Sequence, residues 1–172
     1  MRRLAAALAI SLVAGHALAA ERMISFDPVS TDAKRLTGAG VTVIFTDRLT
    51  GQRVHRLLAT AIPAQANLKP ANRSVLGGLK IENPGDLYAI DDKSAQGAVY
   101  VRAFCPGSKR AWLGIGRIGR GDLTLHAIGD DPTNPAAARL CAAMVFHFKG
   151  EWALPKRGPP DPMEETRDLE PF

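Results

Sequence analysis

Most of the usual marks of chemistry are missing from this chain. It contains two cysteines, and aromatic residues make up only 6% of it. There is no Gly-x-Ser-x-Gly motif, so the strand–turn–helix elbow that presents a hydrolase serine is absent. There is no Cys-x-x-Cys pair, which removes the common redox and zinc-ribbon spacings. His55, His126 and His147 are too far apart in sequence to form a local metal-binding pair. Neither Asp91-Asp92 nor Asp130-Asp131 has the alternating oxygen ligands of a calcium loop, and both pairs sit beside turn residues. No metal or cofactor is therefore expected.

Long apolar runs are scarce as well. Arg2 and Arg3 precede one run of roughly ten residues, Leu4 to Val13, about half of a bilayer span. Ala17 and Ala19 then supply small side chains at the −3 and −1 positions of a peptidase site. This is the pattern of a cleaved secretory signal over residues 1–19, with export to the periplasm or the exterior. No later stretch reaches the length of a transmembrane helix.

Export changes the meaning of the two cysteines. In an oxidising compartment an even count is read as a disulfide, here Cys105 to Cys141. Closing that loop removes roughly 4 kcal/mol of unfolded-state chain entropy in the simple loop model.

The sequence beyond the signal has a period of two. Val41, Val43 and Phe45 alternate with Thr42, Ile44 and Thr46 and predict an inward strand face. Turn chemistry at Asp47–Gly51 makes residues 40–61 a hairpin. Further strands are expected over Asp86–Asp91, Ala98–Cys105, Ala111–Ile118, from Leu123 to Ala127, and from Leu140 to Trp152. A short helix is expected around Ser30–Leu36, and a single helical turn over Ala136–Arg139. Residues 62–85, broken by Pro63, Pro70 and Pro84, form a long irregular loop, with a short strand possible only at Leu79–Glu82. The expectation is an all-β domain over 20–154, a small sandwich or open barrel of about seven short antiparallel strands. Residues 155–172 are Pro-rich, lack apolar periodicity and read as a disordered tail.

Two motifs match only by their letters. Gly114-x-Gly116-x-x-Gly119 spells a dinucleotide fingerprint, but another β-patterned run follows where a phosphate-binding helix is required. Arg120-Gly121-Asp122 is a charged turn before it is an adhesion signal.

What remains is charge. The chain carries a net +5 at pH 7, and its C-terminal tail is acidic, so the body is basic. Lys69, Arg73 and Lys80 lie in the long loop, and Lys109, Arg110 and Arg120 flank the turns of one hairpin. Together they form the candidate binding surface. Arg117 is left out because it shares a strand face with Leu113 and Ile115. The expected function is an exported, non-catalytic binding or accessory protein for an envelope protein or an anionic envelope polymer. Two alternatives stand beside it: an inhibitor of an envelope hydrolase acting through loop 62–85, and a hydrolase with dispersed carboxylates such as Asp130 or Asp131. Nucleic acid is not an expected partner, because no basic helix or aromatic–basic stripe occurs. Nothing in the sequence sets the oligomeric state.

Overall fold

A computed structural model describes residues 21–134 and 136–153. The expected signal peptide and the C-terminal tail lie outside these residues. The chain folds as a closed antiparallel barrel of eight strands, each paired with its neighbour in sequence and the last with the first. The strands are β1 (Glu21–Pro28), β2 (Val41–Arg48), β3 (Gly51–Ala59), β4 (Gln65–Pro70), β5 (Asp86–Ile90), β6 (Ala111–Ile115), β7 (Leu123–Asp130) and β8 (Ala138–Ala153). Helix α1 (Thr31–Thr37) joins β1 to β2, and α2 (Ala95–Phe104) joins β5 to β6.

The all-β class holds, but the barrel is closed. Two strands had no clear sequence signal: β1, and β4 between Pro63 and Pro70. Closure depends on β8. At 16 residues it pairs with β7 through its first half and with β1 through its second. Closure removes both sheet edges and the exposed N–H and C=O rows they would present.

The period-two pattern places the core inside. Val41, Val43 and Phe45 point inward as expected, and meet Ile24, Phe26, Leu113, Leu125, Met144 and Phe146. These side chains are almost fully buried, so the interior is packed and not a channel.

The segment Ala98–Cys105 was expected as a strand and is helix α2. Its alternating valines mislead. Gly97, Tyr100, Val101 and Phe104 fall at helical spacing and are its buried face. Ser94 caps the helix, its Oγ accepting from Gly97 N at 2.9 Å. Helix α1 is where the sequence places it, capped by Ser30. The helical turn expected at Ala136–Arg139 is absent, and β8 begins at Ala138.

Residues 71–85 run across the outside of the barrel as a strap, with a single 3₁₀ turn at Arg73–Leu76 and no strand at Leu79–Glu82. Val75, Leu76, Leu79 and Ile81 pack against Leu87, Trp112 and Ile128, a second apolar cluster on the outer face. The strap comes so close to β6 that a Cβ on Gly85 would sit 2.0 Å from the Ile115 carbonyl oxygen. Gly85 also has φ +71°, so this crossing requires glycine twice over.

Cys105 and Cys141 form a disulfide, with Cα atoms 5.3 Å apart. It joins the C-cap of α2 to β8, and not two strand ends. A disulfide fits a secreted or periplasmic protein. No helix among the described residues is long and apolar enough to cross a membrane.

Candidate functional site: the open end of the barrel

Sequential pairing gives the barrel two unlike ends. The β1–β2, β3–β4, β5–β6 and β7–β8 connections all emerge at one end. Both helices lie there, and Leu36, Tyr100, Val101 and Phe104 join the interior core cluster, closing that end. The other end carries the β2–β3 turn, the start and finish of the strap, and the β6–β7 turn.

A cleft of about 600 Å³ opens at this second end. It exists because β4 is short. Strand β3 pairs with β4 only over Arg56–Leu58, so Gln52 and Val54 have no β4 partner. The Tyr88 side chain, reaching from β5, takes the place of the missing strand. Its hydroxyl accepts from Val54 N at 3.3 Å and donates to the Gln52 carbonyl at 3.2 Å. Burial pushes the Tyr88 hydroxyl pKa up, so it stays protonated as this bridge requires.

The floor of the cleft is apolar, formed by the buried side chains of Val54, Ile115 and Ile118. Its rim is polar and braced. Gln52 Oε1 accepts from Ile118 N at 3.1 Å, and Gln52 Nε2 donates to Asp47 Oδ1 at 3.3 Å. Arg22 pairs with Asp47, and its Nε donates to Glu151 Oε1 at 2.8 Å. The Arg22 guanidinium holds the Asp47 carboxyl below its ordinary range. Arg120 also reaches Glu151, at 3.5 Å. Arg48, Asp86 and Arg117 complete the lining, and none of them forms an ion pair among the described residues.

The basic residues singled out in the sequence do not share one surface. Arg120 is on the open end, and Arg73 is beside it, donating to the Gly85 carbonyl at 3.2 Å. Lys69 is on the barrel wall, 3.4 Å from Asp91. Lys80 is exposed on the strap. Lys109 and Arg110 precede β6 while Arg117 and Arg120 follow it, so this strand holds the two pairs at opposite ends of the barrel. Arg117 does not lie against the sheet; it stands exposed on the rim of the cleft.

The acidic pair Asp130-Asp131 is occupied with backbone. Asp130 is buried, and its Oδ1 accepts from Lys109 N and Arg110 N, both at 2.9 Å. Asp131 Oδ1 accepts from Thr133 N at 2.8 Å and caps the next turn. The glycine triplet 114–116–119 leads from β6 into a turn and then into β7, with no helix to receive a phosphate. The described residues contain no cluster of three or more metal-ligating side chains.

The sequence did not point to Arg48, Gln52, Asp86 or Tyr88. They come from two segments, the β2–β3 hairpin and the start of β5, and the Tyr88 bridge to the unpaired stretch of β3 brings them together. Comparison with protein-family models, curated proteins and solved structures gives no match.

Proposed function

We propose that this is an exported, non-catalytic binding or accessory protein of the cell envelope, and that the open end of the barrel is its ligand-facing surface. One observation carries the reading. The helices close one end, and the other holds a cleft with an apolar floor and two arginines, Arg48 and Arg117, without ion-pair partners among the described residues. Concave, mostly apolar sites with a few convergent polar groups are where ligands bind. The partner is anionic, an envelope polymer or the acidic face of an envelope protein. The inhibitor reading receives less support, since the apolar side chains of the strap pack onto the barrel wall. The hydrolase reading also receives less, since Asp130 and Asp131 are engaged in holding turns.

Retention on immobilised polyglutamate tests this proposal. An Arg48→Glu, Arg117→Glu variant and a Lys109→Glu, Arg110→Glu variant change the net charge equally. The first should elute at clearly lower salt than the second. Equal elution would mean that only net charge matters, and the open end would lose its special role.

A further inference from the structure

We infer that the open end is covered in cis by the acidic residues 161–170 of the same chain, which seat carboxylates on Arg48, Arg53 and Arg117 and must be displaced by any outside anionic partner. The inference rests on the reading of the open end as a surface for anions. It adds an occupant and a competition.

Charge complementarity is the first support. A second, smaller cleft adjoins the first and shares Arg48, Gln52, Asp86 and Tyr88 with it. The charged residues lining the two are Arg48, Arg53, Arg117, Asp47 and Asp86. Asp47 is paired with Arg22. The other four form no ion pair among the described residues, so three guanidinium groups stand against one carboxylate. Residues 161–170 carry Asp161, Glu164, Glu165, Asp168 and Glu170 against Arg167 alone. Several carboxylates on one stretch can meet separate arginines and pass Asp86 by. Exposed ion pairs are individually weak, and tethering compensates by holding the acids near the cleft at a roughly millimolar effective concentration.

The place where the chain leaves the barrel is the second support. Strand β8 finishes at the open end. Its last residue, Ala153, faces Arg22 of β1, and Arg22 faces Phe45 of β2. Two strand spacings, about 10 Å, therefore separate the exit from the strand that leads into the β2–β3 turn. The exit also adjoins the β6–β7 turn on its other side, because Glu151 reaches Arg120 at 3.5 Å. Residues 154–160 can span up to about 25 Å when extended, so Asp161 reaches either wall of the cleft. The rival basic pair, Lys109 and Arg110, lies at the far end of the barrel. Arg110 is moreover held by Asp130 at 3.8 Å and lies over the Trp112 ring.

Paramagnetic broadening in the full chain tests the inference, with a nitroxide attached at Thr166→Cys and the native disulfide left oxidised. At low salt the backbone amides of Arg48, Gly51, Gly85 and Gly119 should lose intensity, while those of Ser108, Lys109 and Arg110 keep theirs. Added salt should restore the lost intensity. Replacing the five acids by amides (Asp161→Asn, Glu164→Gln, Glu165→Gln, Asp168→Asn, Glu170→Gln) leaves the sequence of the barrel intact and should abolish the effect. Broadening centred on Ser108–Arg110, spread evenly over the barrel, or unchanged by the five replacements would overturn the inference. So would equal broadening of an unlabelled chain by a spin-labelled second copy, since the contact would then be between molecules. If the rim stays sharp while the Arg48→Glu, Arg117→Glu variant still leaves polyglutamate early, the occupant is wrong and the open end stands. If both fail, the reading beneath it falls as well.

Discussion

The hydroxyl of Tyr88 donates to the Gln52 carbonyl at 3.2 Å, although their strands, β5 and β3, are not neighbours in the sheet. A side chain thus completes a ladder that the backbone leaves open. At the closed end Tyr100 does the same for the β3–β4 turn, accepting from Ala59 N at 2.8 Å and donating to the Ala64 carbonyl at 3.0 Å. The chain has only these two tyrosines, and each satisfies backbone groups that would otherwise lack a partner.

Tyr88→Phe should therefore destabilise the fold even though it keeps the ring. Val54 is 1% exposed, so its N–H would lose its partner away from water. Leaving a buried donor unsatisfied costs about 1–3 kcal/mol. Urea unfolding of parent and variant measures this. A difference below about 0.5 kcal/mol, the scale of ordinary surface changes, would show that the bridge is dispensable.

The disulfide secures the closed end, since it ties the end of α2 to β8. The Cys105→Ala, Cys141→Ala variant should lose about 2–5 kcal/mol, the usual range for a native bond. Mass spectrometry of non-reduced, alkylated protein should find neither cysteine modified. Two alkylated cysteines would refute the cross-link.

Two histidines set a direction for pH dependence. Burial lowers the pKa of His126, and burial is also the largest cause of the lowered pKa of His55. His126 is 8% exposed, and its Nδ1 has no hydrogen-bond partner among the described residues. The unfolded chain takes up these protons at an ordinary pKa of about 6.5, while the folded chain resists them. Stability is therefore retained above that value and lost as pH falls through it. Urea midpoints should drop between pH 7.5 and pH 5.5, and His126→Gln should reduce the drop. A drop of unchanged size in the variant would remove His126 from the explanation.

These features differ in how far the sequence shows them. The hairpin around Asp47–Gly51, the inward face of β2 and helix α1 could be read from local pattern, because each depends on neighbours in sequence; the cysteine pair, 36 residues apart, could be read because only two cysteines exist to pair. Helix α2 was hidden by alternating Val99, Val101 and Ala103, which fit a strand as well as its buried face fits a helix. The closed barrel depends on β1 and β8 meeting, and the cleft depends on where β4 stops pairing with β3. Both are long-range relations, so no local pattern records them. Lys109 and Arg120, close in sequence, end on opposite ends of the barrel for a local reason, because strand β6 runs between them.

An open end that faces the ligand can be mapped residue by residue. Backbone NMR of the full chain, titrated with a short polyglutamate, tests it most directly. Shifts are expected at Arg48, Gly51, Gly85 and Gly119, with the closed end around Ser108, Lys109 and Arg110 unmoved. Shifts concentrated at Ser108–Arg110, with the rim of the cleft silent, would contradict it.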